Sequence, residues 1–168
     1  MSAVVGHGVV EKSDRAPLAA IAGPQFGEKR PGLDYSVRAG AHGILRDEQG
    51  LIALVRIGAA KGFIEHDLPG GGVDPGEAEQ DALVREFMEE TGLQVRAGRL
   101  IARVGQYWCK DDVTPRDSQF SIYETFIAGP PGVSTEPNHI LVWTTPEDAM
   151  LKVRHEAHAW AIRQYLRS

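Results

Sequence analysis

Apolar positions recur along this chain with two different periods, and the changes of period mark its elements. Residues 36–46 and 51–57 are apolar-rich runs joined by Asp47-Glu48-Gln49-Gly50, which is turn chemistry, so the pair reads as a β-hairpin. Residues 59–66 hold Gly62 and no sustained period, and they read as a loop. Leu68-Pro69-Gly70-Gly71-Gly72 reads as a second, tighter loop, in which three glycines permit backbone shapes closed to other residues and let a ligand approach the main chain. The period then becomes helical. Asp74 is placed to cap free N–H groups, Pro75 fits the first turn, and the helix is expected to run to about Thr91. Gly92 follows, where a left-handed residue is favoured. Three more strands are predicted at 94–104, 119–128 and 139–143, then helices at Pro146–Lys152 and 156–166. Residues 1–34, rich in Gly, Pro and Ala, carry no such period. They read as an extension with room for one short strand or helical turn, and 35–168 reads as one domain. Strands interleaved with helices predict an α/β domain with a mixed sheet between helical layers.

Composition narrows the function. At 168 residues, 42% hydrophobic and 24% charged, this is an ordinary globular chain. Its single cysteine, Cys109, allows no intrachain disulfide and reads as an inert thiol, which fits a reducing compartment and a cytoplasmic location. A net charge of −5 argues against stable nucleic-acid binding and against anionic membranes. No apolar run reaches the ~18 residues of a membrane span. The run 16–23 is too short for a signal-peptide core, contains Pro17 and follows Glu11 and Asp14. A protein so acidic must meet phosphates through a metal or a local basic site.

The central helix supplies the candidate chemistry. At about 100° per residue, Glu79, Glu86, Glu89 and Glu90 share one side, and Leu83, Val84, Phe87, Met88 and Thr91 form the adjacent apolar face. Carboxylates stacked at i, i+3 and i+4 repel. Arg85 offsets only part of that charge. A hard divalent cation, Mg²⁺ or Mn²⁺, would neutralise the remainder and could bridge protein to a pyrophosphate.

These residues match the signature of the Nudix family. Gly71 is followed after five residues by Glu77, and after seven more by Arg85-Glu86-Phe87-Met88-Glu89-Glu90-Thr91-Gly92-Leu93. The departure is Phe87, aromatic where the family prefers an aliphatic residue. From about Phe26 the chain resembles small bacterial MutT-like members, and residues 1–25 fall outside the resemblance. The resemblance implies an α/β/α sandwich with a mixed β-sheet and a loop–helix–loop. It also implies hydrolysis of a phosphoanhydride bond in a nucleoside di- or triphosphate-type substrate. Glu86, Glu89 and Glu90 would be metal ligands, with Glu86 or Glu90 also handling the attacking water. Glu77 would support the metal site, a Gly71 carbonyl could serve as a ligand, and Arg85 would hold Glu86. Gly71 and Gly72 would let the loop wrap the metal site, and Gly70 and Gly72 would contact the substrate. The family often adds a group from outside the box. Glu136 is favoured for that catalytic role over His139.

Arg38 and Arg56, on the first hairpin, are the candidate phosphate-binding cations. Among Tyr107, Trp108, Phe120, Tyr123 and Phe126, one could stack on a base, although core packing is the commoner fate. His42, His66, His155 and His158 read as structural. Two alternatives stand: a non-catalytic nucleotide-binding module, which would usually have lost box carboxylates, and a hydrolase of a non-nucleotide diphosphate. Many relatives are dimers, so a homodimer stays open.

Overall fold

A computed structural model describes residues 19–58, 62–110 and 113–168. Eight strands and three helices follow in the order β1 (Ile21–Phe26), β2 (Ser36–Leu45), β3 (Ile52–Gly58), β4 (Ile64–Asp67), β5 (Gly70–Gly72), α1 (Glu79–Thr91), β6 (Val95–Lys110), β7 (Thr114–Ile127), β8 (His139–Thr144), α2 (Pro146–Lys152) and α3 (Glu156–Arg167). The expected mixed sheet is present as a five-stranded sheet of order β1-β6-β7-β2-β5. Its β1–β6 and β7–β2 pairs are parallel and its other pairs antiparallel. A second, antiparallel sheet of order β4-β3-β8 was not anticipated.

Alternate residues of the central strands feed two cores. Ile44, Ile52, Leu54 and Ile122 pack with Ala149, Ala157, Ala161 and Ile162 of α2 and α3. Ala41, Leu45, Ala53 and Tyr123 pack with Ala82, Leu83 and Phe87 of α1. Strands buried on both faces read as continuous apolar runs, as Ile52–Val55 does. The result is the expected α/β/α arrangement, with α1 on one side and α2 and α3 on the other. No helix among the described residues is long and apolar enough to cross a membrane.

Several boundaries differ from the sequence expectation. The two expected loops contain β4 and β5. Glycines carry no side-chain period, so the backbone ladder of Gly70, Gly71 and Gly72 to His42, Ala41 and Gly40 is invisible to pattern reading. β6 and β7 extend well past the expected 94–104 and 119–128, because their polar outer half forms a long hairpin arm. The short strand allowed for within the N-terminal extension is β1, paired along β6.

α1 begins at Glu79, not beside Asp74. Asp74 instead closes a turn. Its carbonyl accepts from the Glu77 amide at 3.0 Å, and its amide donates to Glu77 Oε2 at 3.0 Å. Gly76 takes the left-handed conformation (φ 80°) in that turn. At the other end Gly92 ends the helix as expected, with φ 73° and its amide on the Met88 carbonyl. The buried side of α1 is Ala82, Leu83, Phe87 and Glu90, while Val84 is exposed. The helix is therefore rotated from the simple amphipathic reading, and one glutamate faces inward.

Candidate metal and substrate site

Arg85 organises the acidic end of the cleft. Its Nε and Nη2 donate to Glu77 Oε1 and Oε2 at 2.9 and 3.0 Å, a bidentate pair. Its Nη1 reaches Glu86 Oε1 at 2.8 Å and Glu89 Oε2 at 3.3 Å, and its Nη2 reaches the Gly72 carbonyl at 3.2 Å. One planar group so ties α1 to the turn and strand that precede it. The hydrogen bonds from Arg85, helped by the Asp74 amide, hold the Glu77 carboxyl down at about 2.

Glu86 and Glu90 sit deeper. The Glu86 carboxylate lies over Gly71, where an added Cβ would come within 2.6 and 2.7 Å of its two oxygens. Glycine at 71 is thus a requirement of close approach. Burial raises the Glu86 carboxyl, against the pull of Arg85. Glu90 is only 9% exposed. Its Oε2 accepts from the Gly70 amide at 3.0 Å, and its Oε1 lies 3.5 Å from His139 Nε2. Burial pushes its carboxyl up to about 8, with the charges of Glu86, Asp67 and Glu136 adding to the effect.

The last carbonyls of α1 need donors from elsewhere. The Glu89 carbonyl accepts from the Thr135 and Glu136 amides at 2.9 and 3.1 Å, and the Ser134 hydroxyl donates to the Glu89 and Glu90 carbonyls at 2.8 and 3.1 Å. This hook carries Glu136 and His139 to the edge of the acidic site, with 3.9 Å between Glu136 Oε2 and His139 Nδ1. Both outside-the-box residues weighed from sequence therefore arrive together, His139 against Glu90 and Glu136 at the rim.

Among the described residues, no three acidic, His or Cys side chains converge as a closed metal cage. Glu89, over a third exposed, turns to Arg85 rather than joining Glu86 and Glu90. Two carboxylates beside a glycine backbone nonetheless suit a hard dication, which commonly takes one or two carboxylates and completes its shell with water and substrate phosphate. Burial is the main cause of the raised pKa of both groups, with the neighbouring carboxylates adding to it.

A cleft of about 330 Å³ opens from this point between the two sheets. Arg38, Gly70, Gly71, Gly72, Glu90 and His139 line it. Arg56 does not. Its strand presents the neighbouring Ile57 to the cleft, because successive side chains alternate across a strand. Of the aromatic candidates, Trp108 and Phe120 reach the cleft wall.

The inner wall holds groups that single-residue reading missed. Asp67 is buried, with its carboxyl pushed up to about 7 by burial despite Arg154 Nη2 at 2.7 Å. His42, His155 and His158 surround Phe120 with ring centroids 4.8 to 5.4 Å from it. Burial brings His42 down to about 4, His155 to about 3, and His158 well below its ordinary value, so all three are neutral near pH 7. They are structural, as expected, yet His42 and His155 also form part of the cleft surface. Their one sequence signal is the His155/His158 spacing at the start of α3, too weak to find partners on β2 and β4.

The NUDIX domain family model matches residues 36–166, and the chain belongs to that family. Two solved structures share the fold. A MutT protein from Methanosarcina mazei Go1 is 21% identical with a TM-score of 0.63, over 81% of this chain and 97% of that one. A MutT NUDIX hydrolase from Burkholderia pseudomallei is 23% identical with a TM-score of 0.60, over 77% and 98%. Among curated proteins, an RNA pyrophosphohydrolase of Erythrobacter litoralis (strain HTCC2594) is 35% identical over 71 residues, 42% of this chain and 43% of its own. A Bacillus subtilis (strain 168) protein, named as a proposed 8-oxo-dGTP diphosphatase, is 44% identical over 68 residues, 40% and 42%. This chain thus spans less than half the length of those curated relatives. Hydrolases of this family generally need divalent cations.

Proposed function

We propose that this chain hydrolyses a phosphoanhydride bond in a nucleoside di- or triphosphate-type substrate, using Mg²⁺ or Mn²⁺. The observation that carries the reading is Glu90, buried in the wall of a substrate-sized cleft on the Gly70 amide, with the Glu86 carboxylate beside it over Gly71. Glu86 and Glu90 would hold the cation, with Glu89 able to join them by leaving Arg85, and Gly71 leaves the room they need. A bound dication supplies Lewis-acid polarisation of the phosphoryl oxygens and acidifies a bound water.

The remaining work belongs to the chain. Arg85 fixes Glu86 and Glu77 so that the carboxylates are preorganised rather than splayed by repulsion. Arg38, on the cleft wall, meets negative charge on the substrate. Glu136, exposed beside His139, is the carboxylate we assign to take the proton of the attacking water, a role its nearness to the acidic site supports. Positioning and electrostatics account for most of the acceleration in such phosphoryl transfers.

The test is a panel: nucleoside triphosphates, oxidised dGTP, ADP-ribose, dinucleoside polyphosphates and prenyl diphosphates, each with Mg²⁺, read as phosphate or pyrophosphate release. Release should stop with a chelator and fall at least ~10²-fold in Glu89→Gln, the scale of losing one key electrostatic group. Silence across the panel, together with tight nucleotide binding, would mark the chain as a binding module instead.

A further inference from the structure

The cleft continues beyond the carboxylates, and its far end is cationic. Along the inner face of the large sheet, β2 presents His42, Gly40 and Arg38 in succession. β7 runs parallel beside it, with Phe120 opposite Gly40 and Ser118 opposite Arg38. The next inward residue of β7 is Arg116, opposite Trp108 of β6, and Lys110 follows on β6. Arg38, Arg116 and Lys110 all line the cleft.

The acidic end has a fixed register, because Gly70, which binds Glu90, pairs with His42. Arg38 lies four residues further along β2, which at about 3.3 Å per residue is about 13 Å away. One diphosphate does not span both ends. Between them Phe120, Trp108 and Ile57 supply the apolar part of a wall that also carries Asp67, Arg154 and His155.

Three cations thus share one cleft in a chain of net charge −5. Among the described residues Arg46, Arg56 and Arg96 likewise form no ion pair, so what distinguishes Arg38, Arg116 and Lys110 is their gathering on one cleft wall. Gathering like charges in a concave, partly dry surface costs free energy unless an anion meets them, and arginine forks match phosphate oxygens.

We propose that this end is a second phosphate subsite, so that the substrate is a nucleotide phosphorylated on both sides of its nucleoside. Its 5′ diphosphate lies at Glu86 and Glu90, its ring system along Phe120 and Trp108, and a phosphate on the 2′ or 3′ side of the ribose at Arg38 and Arg116. That far phosphate is either a free ester or the phosphodiester leading to a following nucleotide. The assignment rests on the hydrolytic reading of the same cleft, but it is testable without turnover.

The experiment is calorimetric titration of the full chain, with Mg²⁺ present, in adenosine and guanosine series. The probes are the 5′-monophosphate, the 3′,5′-bisphosphate and the 5′-phosphorylated dinucleotide. The proteins are wild type, Arg38→Gln/Arg116→Gln and Arg38→Lys/Arg116→Lys. The bisphosphate should bind at least about tenfold tighter than the monophosphate, as charge-assisted contacts to a second phosphate imply. The ratio should fall to near one in the glutamine pair and persist in part in the lysine pair, which keeps the charge. A dinucleotide tighter than the bisphosphate identifies the phosphodiester source, and the reverse order identifies the free ester. Equal or undetectable binding of mono- and bisphosphate, or an unchanged ratio in the glutamine pair, overturns the subsite. Discrimination among these anhydride-free probes, with silence across the panel of anhydride substrates, leaves the subsite standing and overturns the hydrolase reading, and hydrolysis of the panel without discrimination does the opposite.

Discussion

At the scale of single residues, Gly71 and Arg85 show how much of the site lies in what a position excludes. A methyl group at 71 would push the Glu86 carboxylate out of place, its oxygens lying 2.6 and 2.7 Å from the new atom. The end of a glutamate is flexible, so the fold should tolerate the change while the site does not. Gly71→Ala is expected to lower the hydrolytic rate about 10²-fold, as displacing one electrostatic group does, with the melting temperature nearly unchanged. Steady-state kinetics and a thermal melt on the same sample check both halves, and an unchanged rate would remove Gly71 from the site. The residue types here were legible in the sequence, since the spacing of Gly71, Glu77, Arg85, Glu86, Glu89 and Glu90 is a linear pattern. Their inequality was not. That Glu90 is buried and Glu89 half-exposed depends on the rotation of α1 against β5, which the local period leaves open by a few tens of degrees.

At the scale of elements, α1 serves as both core and active surface. Phe87 is fully buried in the cluster with Leu83, Leu45 and Tyr123 and sits beside Gly43 on β2. It therefore fixes the distance between the carboxylates of α1 and the glycine strand. Phe87→Ala should cost about 3–5 kcal/mol of stability, the range for emptying a buried aromatic site, and chemical denaturation would measure it. A loss under about 1 kcal/mol would mean that the helix is held by its ion pairs instead. The longer helices and the hydrophobic strands were readable because their side chains carry a period. β4, β5 and the outer arm of β6 and β7 were not: glycines have no side chain to alternate, and the arm is half-solvated on both faces. The hook of Ser134, Thr135 and Glu136 onto the end of α1 also escaped notice, although four unmet helix carbonyls always demand some donor.

At the scale of the whole molecule, the two sheets together line a gap that neither would have alone. Its acidic end comes from α1 and β5, its wall from β2, β6 and β7, and its far side from β3, β4 and the start of α3. Arg56 fell outside it and Arg116 inside it because strand pairing between distant segments decides which side of a strand faces the gap. Long-range pairing of this kind leaves little trace in one sequence.

The most direct test of the central claim is the initial rate of hydrolysis of the best panel substrate against Mg²⁺ concentration at pH 6, 7 and 8, for wild type and Glu90→Gln. A cation ligand must be ionised, and the Glu90 carboxyl is held up at about 8, so it is largely protonated at pH 6 and ionises as the pH rises. The Mg²⁺ needed for half-maximal rate should therefore fall with pH, by up to about tenfold per unit below pH 8, and level off above it. Glu90→Gln should lose at least ~10²-fold in rate, along with that pH dependence. Hydrolysis that survives a chelator, or that proceeds at full rate and with the same pH dependence in Glu90→Gln, would contradict the account.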